Sequence, residues 1–144
     1  MTMNLIKLCV GADSIEDLEG WIAQRAAAAS KAGRTYEQFH TTRQMPRARD
    51  EILDGGSLYW VIKGMIACRQ VIADLDPVTD EEGISRCRIV LAQPIIRVLP
   101  RPRGPFQGWR YLKPADAPPD LDAHGKGEAP SAEMARELSE LGLL

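Results

Sequence analysis

Over residues 36–99 the chain is a succession of short β-branched and aromatic runs cut by glycine and proline, whereas helical periodicity is confined to its two ends. Strands that follow one another through the middle, with helices outside them, predict an α+β domain and not a doubly wound sheet. Residues 4–10, rich in Leu, Ile and Val, give a first strand ended by Gly11. Ser14 with Asp17 three positions on is a capping-box pattern, and Ile15, Leu18, Ile22, Ala26 and Ala29 recur at helical spacing up to Gly33. Residues 36–43 predict a short strand that must end before Pro46, which opens a brief helical turn through Glu51 to Leu53. Residues 57–63 and 65–73, parted by Gly64, predict a hairpin or one long strand bent at that glycine.

The remaining runs complete the expected order. Residues 76–83 are acidic and predict a turn, and residues 85–99 predict a long β segment in which Pro94 marks an edge, bulge or break. Pro100 to Pro105 reads as an extended, stiff arm. Residues 114–130 form an irregular Pro/Gly-rich segment before a last helix, for which Pro130 and Ser131 mark the start, Met134, Leu138 and Leu141 the apolar stripe, and Gly142 the end. The expectation is a single domain over residues 1–144: a mixed or antiparallel, partly closed β-barrel with helices packed at both chain ends. Barrel closure hides sheet edges, and Gly55, Gly56, Gly64 and Gly108 supply the tight bends it needs.

Composition narrows the class. With 144 residues, 44% hydrophobic and 26% charged, the chain suits one soluble globular core, and no run approaches the roughly 18 apolar residues of a membrane span. The opening residues lack a basic lead and their apolar stretch is broken by Lys7, so neither a secretory signal nor a membrane partner is expected, and the address implied is cytoplasmic. Cys9, Cys68 and Cys87 are odd in number and widely spaced, which fits reduced, buried thiols. The net charge of −2 conceals an asymmetry: between His40 and Lys113 twelve Lys and Arg stand against eight Asp and Glu. That basic middle permits an anionic partner without demanding one.

Two blocks gather rings, cations and glycines, residues 55–64 (GGSLYWVIKG) and residues 106–113 (FQGWRYLK). Flat rings beside cationic side chains suit base stacking and phosphate binding. In the first block alternation puts Leu58, Trp60 and Ile62 on one face and Tyr59, Val61 and Lys63 on the other. Tyr59 or Trp60 is then either core or the wall of a pocket whose mouth carries Lys63 or Arg69. In the second, Trp109, Arg110 and Tyr111 follow an arm bearing Arg101 and Arg103, which reads either as a phosphate-backbone contact or as a lid. His40, Thr41, Thr42 and Arg43 form a third cluster able to bind phosphate. A catalytic alternative takes Thr41 as nucleophile, Lys63 as base and Glu51 as its orienter, in a small hydrolase acting on a nucleoside-like substrate. Neither a CxxC nor an HxxxH spacing occurs, so no metal site and no cofactor are expected.

The run from His40-Thr41-Thr42-Arg43 and Pro46 through residues 50–64, Cys68-Arg69-Gln70, residues 106–112 and Asp116-Ala117-Pro118-Pro119-Asp120 resembles the bacterial domain of unknown function 1489 family over nearly the whole chain. That resemblance implies a bacterial single-domain protein and no particular activity. A more distant resemblance is to PUA-like domains, among them the ASCH and EVE domains, small barrels that bind RNA or a modified base. Residues 49–61 and 66–72 look like their helical turn, glycine bend, strand and returning strand, although Gly56-Ser57 stands where many relatives have an acidic residue after the glycine. Together these readings favour a noncatalytic module that binds RNA, or a nucleotide or modified base. Tyr59, Trp60, Trp109 and Tyr111 would form its pocket, with Arg43, Lys63, Arg69, Arg101, Arg103 and Arg110 supplying charge. A structural or partner-binding domain, with Phe106 and Trp109 in a homodimer contact, is the remaining alternative.

Overall fold

The computed structural model of the protein describes residues 2–121; the expected last helix and the part of the Pro/Gly-rich segment from residue 122 onward lie outside the described residues. The chain opens with strand β1, Asn4–Leu8, and helix α1, Ile15–Lys31. Ser14 caps α1 as its spacing requires: its hydroxyl accepts from the Asp17 amide at 3.1 Å, and the Asp17 carboxylate accepts from the Asp13 amide at 2.9 Å. Strand β2, Gln38–Thr42, and the short helix α2, Arg49–Leu53, lead into β3, Ser57–Ile62. Gly56 is required at that joint, because a Cβ there would overlap the carbonyl oxygens of Met3 and Ile52.

β3 turns back into β4, Met65–Thr79, as a hairpin. Its two loop residues, Lys63 and Gly64, have φ of 50° and 76°, the positive values that a tight two-residue turn requires. β4 is longer than its composition predicts. It continues through Asp76 and Pro77, which pair with Arg88 and Cys87 of β5, Ser85–Leu91, so the acidic turn shrinks to the few residues around Asp80. A register shift between Ile72 and Asp74 marks the point where β4 passes from pairing with β3 to pairing with β5. After Pro94 the chain resumes as β6, Ile96–Pro102, pairing with the first part of β4, and β7, Trp109–Leu112, returns to β1.

The result is a mixed seven-stranded sheet in the order β2-β5-β4-β3-β1-β7, with β6 also on β4 and β1 parallel to β3. It is α+β, as expected, but it does not close into a barrel. β2 pairs with β5 alone and β7 with β1 alone. These edge strands are five and four residues long, and side-chain hydrogen bonds tie β7 to the segment that follows β2. The Trp109 indole N–H donates to the Gln44 carbonyl at 3.2 Å, and the Ala48 amide donates to the Tyr111 hydroxyl at 3.2 Å.

The sheet is buried on both sides. Leu5, Leu58, Trp60, Ile62, Cys68, Leu75 and Ile89 pack with Ile15 and Leu18 of α1 and Ile52 of α2, while Ile6, Tyr59, Val61, Ile66, Val98 and Leu112 form a second cluster. Every residue of β3 is therefore buried. The polar group inside is matched: the Gln70 side chain, fully buried, accepts from the Trp60 indole at 3.0 Å and donates to Gln38 at 2.7 Å.

Candidate functional site: a basic cleft between two sheet edges

Where the ladder fails to close, the side chains of β2 and β7 border an open cleft of about 860 Å3, within the range of ordinary small-molecule sites. Its cations are Lys7, Arg43, Arg86 and Arg110, its rings Trp109 and Tyr111, and its hydroxyls Thr41 and Thr42. Register explains the convergence. Lys7 of β1 stands opposite Trp60 on β3 and opposite Trp109 on β7, which makes a row Trp60–Lys7–Trp109 across the sheet. Trp109 and Tyr111, alternate residues of β7, share a side and meet edge to face with centroids 5.0 Å apart.

Electrostatically the cleft is one-signed. Among the described residues no carboxylate, imidazole or thiol lines it. Arg86 is paired with Asp80 at 3.0 Å, and Arg110 is oriented by the carbonyls of Gln107 and Trp109, at 2.6 and 3.0 Å. Lys7 and Arg43 have no ion-pair partner among the described residues. Such a surface attracts anions and offers a flat ring beside them.

Of the residues singled out in the sequence, Arg43, Trp109, Arg110 and Tyr111 meet in this cleft, together with Thr41. The others lie elsewhere. Trp60 is 1% exposed and Tyr59, whose phenol is pushed up by burial, is 6% exposed. Arg69 holds Asp120 through two hydrogen bonds of 2.9 and 2.8 Å and donates to Ser57 at 2.8 Å, an arrangement that keeps the Asp120 carboxyl below its usual range. Arg101 donates to the Asp116 carbonyl at 2.6 Å, and Arg103 lies over the Phe106 ring at 5.1 Å. Lys63 sits exposed in the β3–β4 turn and Glu51 is exposed on α2, so neither shares the cleft with Thr41.

Residues 5–144 match the family model described as protein of unknown function, DUF1489. The chain belongs to this DUF1489 family. No curated protein and no solved structure matches it, and no comparison extends the likeness to PUA-like domains. The three thiols of this DUF1489 chain are buried, and desolvation pushes Cys9 up to about 11, Cys68 to about 12 and Cys87 upward, which disfavours the thiolate in each. Among the described residues no cluster of three or more His, Cys, Asp or Glu could hold a metal, and no helix is long and apolar enough to cross a membrane.

Sequence reasoning did not include Lys7 or Arg86 in the site. The signal for Lys7 was a cation within the apolar run Asn4-Leu5-Ile6-Lys7-Leu8, on the side of the strand that also carries the buried Leu5. A lysine at a core-facing position implies that the core is open there.

Proposed function

We propose that the protein is a noncatalytic module that binds RNA, or a nucleotide or modified base, in the cleft between β2 and β7. The observation that carries this reading is the convergence of Lys7, Arg43 and Arg110 with Trp109 and Tyr111 around one hollow that no carboxylate of the described residues lines. A base stacked on an aromatic ring contributes about 1–3 kcal/mol, and the cations neutralise its phosphates. Hydroxyls from Thr41 and Thr42 add hydrogen bonds to phosphate or sugar. The lining groups described are cations, rings, amides and hydroxyls, which suit binding more than proton transfer.

The test is a fluorescence-anisotropy titration of the full chain with short single-stranded RNA at several salt concentrations. Affinity should fall steeply with salt, and Arg43→Ala should lower the slope of log K against log salt by about 1. Absence of binding to any oligonucleotide or nucleotide at low salt rejects the reading.

A further inference from the structure

Lys7 borders a second recess. Beyond it, between α1 and the sheet, lies a smaller and more enclosed cavity of about 110 Å3, whose walls include Cys9, Trp21, Arg25, His40 and Trp60. We propose that this cavity receives the terminal phosphate of a nucleic-acid strand or nucleotide lying in the cleft, its charge met by Lys7 from β1 and Arg25 from α1. The inference rests on the reading of the cleft as a nucleic-acid site.

Charge is the first argument. Lys7 and Arg25 come from separate elements to one recess, and among the described residues no carboxylate lines it and neither cation has an ion-pair partner. Two like charges directed at a partly enclosed space repel, and an anion between them reverses the sign of that interaction. A terminal phosphate carries about −1.5 to −2 at neutral pH, more than the single charge of a phosphodiester, and so gains most from two cations.

Size and shape agree with this choice. The cavity has room for about three to four waters at ~30 Å3 each, which suits a phosphate group and is small for a purine. A small, partly enclosed recess suits the end of a strand better than its middle, because a phosphodiester would have to lead the chain back out. Lys7 lines both spaces, so the cavity adjoins the cleft at this lysine and the proposed ligand would reach it there.

His40 supplies the reporter. Its ring meets Trp60 edge to face at 4.8 Å, and its buried Nε2 has no hydrogen-bond partner. Burial first, then the charges of Lys7 and Arg25, hold its pKa down at about 4. From the other neighbouring strands it faces only uncharged groups, Trp60 of β3 and Ile89 of β5, with the Cys9 thiol protonated across the cavity. An anion between the two cations removes part of the repulsion, so His40 must become easier to protonate when the cavity is filled.

Two measurements on the full chain test the proposal. The first compares the affinities of one short single-stranded RNA bearing either a hydroxyl or a phosphate at its 5′ end, and the same pair at its 3′ end. One phosphorylated end should bind about tenfold tighter, as charge-assisted hydrogen bonds require. Arg25→Gln, outside the cleft, should abolish that preference and leave the affinity of the unphosphorylated strand unchanged. The second follows His40 by NMR with inorganic phosphate, which should raise its titration midpoint by about 1 pH in the parent and not in Arg25→Gln. Tight binding of the RNA with no preference for either phosphorylated end overturns this inference and leaves the cleft reading standing. A His40 response to phosphate without any RNA binding overturns the cleft reading and keeps the phosphate site; neither response overturns both.

Discussion

Two segments of similar composition, Leu58-Tyr59-Trp60-Val61-Ile62-Lys63 and Trp109-Arg110-Tyr111-Leu112-Lys113, meet opposite fates in this molecule. Leu58 to Ile62 of the first lie in β3, flanked by β1 and β4 and covered on both faces, and all five are buried, with Lys63 standing out in the turn that follows. The second forms β7 at an edge, where Tyr111 is 41% exposed and Trp109 is half-buried against the core. Trp60 and Trp109 even belong to the same row, one on each side of Lys7. What separates a structural indole from an available one is therefore two steps across the sheet, from the inner strand β3 past β1 to the edge strand β7. Aromatic content marks both segments; topology decides which can bind.

The largest expected contrast lies in that pair of tryptophans. Trp60→Ala should cost about 3–5 kcal/mol, since it empties a sealed site and also leaves Gln70 without its indole donor. Trp109→Ala should cost less than half of that and instead weaken RNA binding about tenfold or more. Urea denaturation and anisotropy titration of the two variants check this; equal stability losses break the comparison.

Acid sharpens it next. His40, packed on Trp60, has a folded-state pKa near 4 against an ordinary 6.5, so the unfolded chain takes up this proton first as pH falls. The corresponding stability is complete above pH 6.5 and declines as pH drops from 6.5 toward 4, by up to about 3 kcal/mol. Denaturation curves over this window should fall for the parent protein and flatten by roughly that amount in His40→Gln. A parallel decline in both would show that His40 titrates normally.

The arginines give the smallest and most selective contrast. Arg69→Ala leaves Asp120 without its two-pronged partner in a partly buried position and should lower stability by about 1–2 kcal/mol, with RNA affinity unchanged. Arg110→Ala should alter stability by no more than about 0.5 kcal/mol and reduce the salt slope of binding by about 1. An exchange of these outcomes would put the binding surface on the wrong side of the sheet.

Local chemistry was legible in the sequence and long-range pairing was not. Ser14 with Asp17 located the start of α1, Gly64 located the β3–β4 turn, and Pro94 marked the break between β5 and β6, because caps, positive φ and a missing amide act within a few residues. Alternation placed Leu58, Trp60 and Ile62 on one side of β3 and Tyr59 and Val61 on the other, which holds. It could not reveal that both sides are covered, since that depends on β1 lying parallel beside β3 and on β6 joining β4. Nor could composition predict that the acidic run from Asp74 to Thr79 stays in β4, where pairing with β5 overrides the turn preference of Asp and Pro. In the cleft, Trp109 and Tyr111 were visible as residue types, but Lys7 joined them only through the pairing of the first strand with the last.

The indole N–H resonances of the 15N-labelled full chain offer the most direct test, because each tryptophan reports its own site. On addition of short single-stranded RNA with a hydroxyl at both ends at low salt, the Trp109 signal should shift strongly while that of Trp60, locked to Gln70 in the core, stays in place. A shift confined to Trp60, or no response from Trp109 at saturating RNA, would contradict the assignment of the cleft between β2 and β7 as the binding surface.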